Sequence, residues 1–124
     1  MNVLIVVLDA ASPPELGNGD VLVVAPALNS RLRHWLSDED AARRNAEERA
    51  AACVDLLERA GVRAEGRVGD ADPLQAIADA LPTFAADEIV IVAQPERSSL
   101  LAARARNRFA LPVLTAEEPL PHAA

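Results

Sequence analysis

The chain opens on a run of apolar residues, Val3-Leu4-Ile5-Val6-Val7-Leu8. An unbroken, β-branched run of this length predicts a strand buried on both faces. Two further runs have the same character: Val21-Leu22-Val23-Val24-Ala25, stopped by Pro26, and Glu88-Ile89-Val90-Ile91-Val92-Ala93. Between them the period changes. Ala42, Ala46, Ala50, Cys53, Leu57 and Ala60 recur at three- and four-residue steps. They predict one stripe of a long helix with Ser37 as N-cap, Asp40 at the third position and Gly61 just past its end. Residues 62–68 alternate, Val62, Ala64, Gly66 and Val68 against Arg63, Glu65 and Arg67, as an edge strand with one wet face does. Asp72-Pro73-Leu74-Gln75 predicts a second helix start, with an acidic cap, Pro at the first position and Gln at the third. Leu74, Ile77, Ala78 and Leu81 form its expected buried face, and Pro82 ends it. Gln94 to Ser99 reads as a loop, followed by a helix from Leu100 to Arg108. The last strand runs from Leu111 to Thr115, with Pro112 confining it to an edge or a strand start.

Strands alternating with helices predict an α/β fold: a three-layer sandwich around a five-stranded, mostly parallel sheet. The connection between the first two strands, residues 9–20, is rich in Pro, Gly and Asn and holds at most one helical turn. A parallel crossover needs about a dozen residues, so this segment is just long enough. An antiparallel pair with a loose loop is the alternative. The expected organisation is a single domain over residues 1–115 and a frayed tail over 116–124. Open sheets of this kind bind ligands beyond the carboxyl ends of their strands, where the strand order reverses. That rule nominates Asp9, Pro26 and the Gln94–Ser99 segment.

Composition narrows the classes. The chain has 124 residues, 51% of them hydrophobic, yet its aromatics are only Trp35, Phe84 and Phe109. With 26 alanines, the core must be aliphatic and finely packed. No stretch is long and apolar enough for a membrane span, and Val3 to Leu8 is too short, and lacks the basic flank, for a signal-peptide core. The expected location is the cytoplasm. All twelve basic residues are Arg, against 19 acids, for a net charge of −7. This is the wrong sign for a duplex nucleic-acid binder. Without Lys there is no Schiff base and no Walker-type loop. One cysteine, Cys53, permits neither an internal disulfide nor a Cys-based metal cluster.

Few residues suggest chemistry. Asp9 is either a ligand-facing acid or a turn cap. Arg97, Arg104, Arg106 and Arg108 concentrate guanidinium groups suited to phosphate, with Ser98 and Ser99 at an expected helix start; the alternative is a solvated helix face. His34-Trp35 is a partner contact or part of the long helix's entry. Cys53 lies in the apolar stripe and is expected to be structural. Asp70 and Asp72 are expected to serve the turn and the cap. No nucleophile, acid–base pair or metal-ligand set stands out, so no catalytic residue and no metal is assigned.

Three stretches carry a family resemblance: Val68-Gly69-Asp70-Ala71-Asp72-Pro73-Leu74-Gln75-Ala76-Ile77, Ala86-Asp87-Glu88-Ile89-Val90-Ile91-Val92 and Phe109-Ala110-Leu111-Pro112-Val113-Leu114. With the first strand ending in Asp9, their order and spacing over about residues 2–115 resemble the universal stress protein family. The resemblance implies an adenine-nucleotide α-hydrolase-like fold and dimers through the last strand; on the residues themselves, either the alternating edge strand 62–68 or the Leu111–Thr115 strand could serve. It also implies an Asp near the adenine in members that bind ATP. Those members carry a Gly-x-x-Gly loop, then Gly-Ser or Gly-Thr, after the fourth strand. Here the segment is Gln94-Pro95-Glu96-Arg97-Ser98-Ser99, and no glycine follows Gly69. The chain therefore resembles the non-ATP-binding branch. The shortened 9–20 segment also departs from the family's full helix and is expected to leave part of one sheet face thinly covered. The expected function is a non-catalytic regulatory or partner-binding domain acting as a homodimer or with a protein partner, without nucleic acid, membrane or cofactor. The alternatives are a binder of ATP, AMP or another small anion through an altered Gln94–Ser99 segment and, least supported, a small hydrolase or transferase.

Overall fold

The computed structural model describes residues 1–9, 16, 19–28 and 39–116. The elements are β1 (Val3–Val7), β2 (Asp20–Pro26), α1 (Glu39–Arg59), β3 (Arg63–Gly69), α2 (Pro73–Ala80), β4 (Glu88–Val92), α3 (Pro95–Arg108) and β5 (Val113–Ala116). They build an α/β fold around a five-stranded sheet of order β3-β2-β1-β4-β5. Every pairing is parallel, including β1 with β2, so the antiparallel alternative is excluded.

The sheet separates two aliphatic cores. Leu4, Val6, Leu22, Val24, Ile89 and Ile91 project to one face, against Ala76, Ile77 and Ala80 of α2 and Leu101, Ala102 and Ala105 of α3. Val3, Ile5, Val7, Val21, Val23, Val90 and Val92 project to the other, against Ala46, Ala50, Cys53 and Leu57 of α1. The continuous apolar runs thus arise because both faces are covered. The small alanines let the helices lie close to the sheet. The α1 face is not thinly covered: Val90 and Val92 are buried there, and Leu16 packs against the same cluster.

Local signals explain most element ends. Asp72 caps α2, its side chain accepting the Leu74 N–H at 3.0 Å, and Asp70 accepts the Asp72 N–H at 2.9 Å. The two acids therefore serve the turn and the cap. Gln75 does not reach back to complete a capping box; it donates to Asp79 at 2.8 Å instead. The α2 stripe buries Ala76, Ile77 and Ala80 most deeply, with Leu74, Ala78 and Leu81 only half-buried at its margins. Gly61 has φ 84°, and Val62 N–H donates to Leu57 O while Gly61 N–H donates to Glu58 O, the two bonds of a Schellman ending. Ala60 falls in that ending and is exposed rather than part of the stripe. At the amino ends of the strands, Asn2 accepts from Asp20 N–H and donates to both Asp87 and Ala85, tying the starts of β1, β2 and β4 together.

Several boundaries differ from expectation, and three of them bear on the sheet and the site. Pro26 is the last residue of β2, paired in register with Gly69, rather than a residue beyond it. β5 begins at Val113, after Pro112. The third difference is the largest: α3 begins at Pro95, so Pro95 to Ser99 is helix and not loop. Proline fits the first helical position because its missing N–H has no intrahelical partner there. The expected Ser37 cap, His34-Trp35 and the tail beyond residue 116 lie outside the described residues.

Gly69 shows how tight the core is. A Cβ there would lie 2.7 Å from Val24 Cγ1 and 2.8 Å from Ala76 Cβ. Gly69→Ala is expected to destabilise the fold by about 1–3 kcal/mol through overpacking. The check is a fall in the urea midpoint with an unchanged slope.

Candidate functional site

β1 has β2 on one side and β4 on the other, and the strand order reverses between β1 and β4. The carboxyl ends of these two strands are therefore where the fold opens a crevice. Asp9 follows β1 there, and Gln94 with the first turn of α3 follows β4.

These residues meet directly. The Asp9 carboxylate accepts the Gln94 backbone N–H through Oδ2 at 2.9 Å and Arg97 Nη1 through Oδ1 at 2.7 Å. Gln94 is the N-cap of α3, with extended backbone and no side-chain cap bond of its own. Asp9 supplies from another strand the negative charge that a helix start favours. Its side chain is 23% exposed and that of Arg97 46%, so the pair lies at the rim of the crevice.

The other expected residues have different roles. Ser98 is fully buried, and its hydroxyl donates to Pro95 O at 3.1 Å. It is a packing residue of the first helical turn. Ser99 is exposed. Pro26 is buried, and its carbonyl accepts from Arg49 Nη2. The arginines of α3 do not act together. Arg97 lies at the carboxyl end of the sheet. Arg106 lies nine residues on, about 14 Å along the axis, where it donates to Val113 O at the start of β5. Arg108 stacks its guanidinium 5.4 Å from the Phe109 ring centre.

Arg49 was not anticipated. It extends from α1 over the strand ends, donating through Nε to Val7 O at 3.2 Å and through Nη2 to Pro26 O. It thereby satisfies carbonyls at the ends of β1 and β2. Burial lowers its pKa; the nearby Asp9 carboxylate opposes that shift, and the Arg97 guanidinium adds to it. A signal was present in the sequence. Arg49 stands three residues after Ala46 and four before Cys53, so it borders the buried stripe of α1.

Two guanidinium groups and one carboxylate therefore gather at the crevice, with the carboxylate already holding the helix-start N–H. Among the described residues no group of three or more His, Cys, Asp or Glu side chains is placed to hold a metal ion. No described helix is long and apolar enough to cross a membrane. Cys53 is buried on the sheet-facing side of α1, and burial pushes its thiol up to about 11. No protein-family model and no curated protein sequence matches this chain.

Two predictions follow from these groups. Asp9→Ala is expected to cost about 1 kcal/mol, since Gln94 and Arg97 lose a shared acceptor at a partly solvated site; chemical denaturation measures it. The second concerns Cys53. Its unfolded thiol ionises from about 9.0, its folded thiol only near 11. Between those values the folded state holds more protons, so stability falls as pH rises from about 9 to about 11. The chain has no Lys or Tyr to titrate in that window. Cys53→Ala is therefore expected to flatten this part of the stability–pH curve.

Proposed function

We propose that the chain is a universal stress protein-like regulatory domain that works by self-association and partner binding, not by catalysis or through a glycine-rich nucleotide loop. One observation carries this reading: the chain's own Asp9 carboxylate sits on the start of α3, bonded to Gln94 N–H and Arg97. In a helix-start phosphate site those donors face the ligand. Here they are taken by a resident anion. Pro95 withholds a further amide, Glu96 adds negative charge to the first turn, and Ser98 is buried with its hydroxyl satisfied. The strand order and the Asp70–Pro73 turn agree with the resemblance on which the family reading rests.

A second reading has one specific observation in its favour. Arg49 and Arg97 outnumber Asp9 at the crevice, and an anion strong enough to displace the carboxylate would find both. A thermal-shift titration with Mg-ATP and with AMP separates the two. A ligand at one hundred times its dissociation constant stabilises by about 2.7 kcal/mol, a shift on the order of 10 °C for a domain of this size. We expect no shift with either nucleotide for the native chain. A clear shift overturns the regulatory reading in favour of nucleotide binding. Light scattering at tens of micromolar tests the self-association, for which a dimer mass is expected.

A further inference from the structure

Self-association needs a surface, and the sheet ends in two edges. β3 is the longer, seven residues against four for β5. Among the described residues nothing pairs with its outer side. Its backbone direction is fixed by one bond: Ala27 N–H donates to Gly69 O at 3.1 Å, so the Gly69 carbonyl faces β2. Alternation then turns the Arg63, Glu65 and Arg67 backbone groups towards β2 and those of Ala64, Gly66 and Val68 outwards. The side chains divide in the same rhythm. Ala64 and Val68 pack on the α1 face, while Arg67 reaches Thr83 on the other at 2.8 Å.

We infer that this edge is a homodimer interface, in which β3 pairs antiparallel with β3 of a second copy about a two-fold axis at Gly66. This rests on the self-association proposed above and assigns it to β3, not to the last strand, β5, that the family resemblance implies. In that register the outward-facing residues form the hydrogen-bonded pairs: Gly66 with Gly66 of the second copy, and Ala64 with its Val68. Glu65 then stands opposite Arg67 of the second copy, and Arg67 opposite its Glu65. These are non-hydrogen-bonded positions, where opposing side chains approach most closely. Glu65 and Arg67 already lie 3.5 Å apart within one chain, so the dimer closes a ring of four alternating charges.

The neighbouring registers are penalised. Hydrogen-bonding parity requires the axis to move by a whole residue. An axis at Glu65 sets Glu65 against Glu65 and Arg63 against Arg67. An axis at Arg67 sets Arg67 against itself. Of the registers that bring opposite charges together, only the one about Gly66 aligns all seven residues of β3; an axis at Ala64 also opposes Arg63 and Glu65 but overlaps only residues 63–65.

A second observation lies on the α1 face of the same edge. Gly66 has no side chain to cover the helix behind it, and a cleft of about 330 Å³ opens there, lined by Glu47, Ala50, Ala51, Val54 and Val68. The two-fold axis passes beside this cleft. The clefts of the two copies abut there, and their apolar walls are shielded from water together. A glycine within a strand is also where another backbone approaches closely.

The experiment is a charge-reversal exchange read by sedimentation equilibrium. Glu65→Arg alone and Arg67→Glu alone each place like charges opposite one another at both symmetry-related positions. Each is expected to weaken the dimer by roughly thirtyfold or more. Mixed in equal amounts, the two variants restore opposite charges at both positions and are expected to form a heterodimer. The doubly exchanged chain is expected to recover the homodimer. Circular dichroism confirms that each variant is folded. A dimer that survives both single reversals, or variants that stay monomeric when mixed, overturns the β3 assignment while leaving self-association intact. A native chain that is monomeric at tens of micromolar overturns the self-association itself.

Discussion

A strand with neighbours on both edges and helices on both faces has no route to water, and β1 is in that position along its whole length. Val3, Leu4, Ile5, Val6 and Val7 are all buried, alternating between the two cores. The rest of the architecture follows from that constraint. Both flanking strands must be apolar, so β2 and β4 repeat the composition of β1. Both helical layers must reach the sheet, so their contact positions are mainly alanine. The polar groups that meet β1 are confined to its two ends, where Asn2 joins the strand beginnings and Arg49 covers the terminations.

The carboxyl end is also where the fold concentrates its charge. Asp9, Arg49 and Arg97 come from three different elements and depend on one another. Asp9 anchors the start of α3 and partly neutralises two guanidinium groups; Arg49 holds the strand ends that position Asp9. A site that completes its own hydrogen bonds is stable without a ligand. That is the physical ground of the proposal that this crevice is not a nucleotide-phosphate site.

Much of this was legible in the sequence because both signals were local. Buried parallel strands announce themselves as unbroken apolar runs, and Asp72-Pro73 announces a helix with a side-chain cap. Gln94-Pro95 has the same grammar without the acid, and its glycine-poor, polar continuation read as loop. The missing cap is supplied by Asp9, 85 residues away in the chain, which no local pattern reveals. The rim position of Asp9 and Arg97 could be anticipated from strand order, but their pairing could not. Arg49 was obscured for another reason. It is one charge among several on a helix where Arg43, Arg44, Glu47 and Glu48 face solvent, and only its place beside the alanine stripe distinguishes it. Ser98 misled in the opposite direction, since a hydroxyl in an expected loop turned out to be satisfied within a helical turn.

β1 precedes the other strands of the sheet in the chain, and it lies in the middle of the finished sheet. Its pairing with β2 spans a short connection, whereas its pairing with β4 joins Val3 to Glu88. A growing chain can thus assemble β1, β2, α1 and β3 while the far edge of β1 is still bare. At translation rates of roughly 5–20 residues per second, that interval lasts on the order of seconds. Throughout it, the most apolar strand of the protein presents an unpaired backbone to its surroundings. Until Glu88–Val92 arrives, that bare edge is the part of the half-sheet most open to unwanted strand pairing.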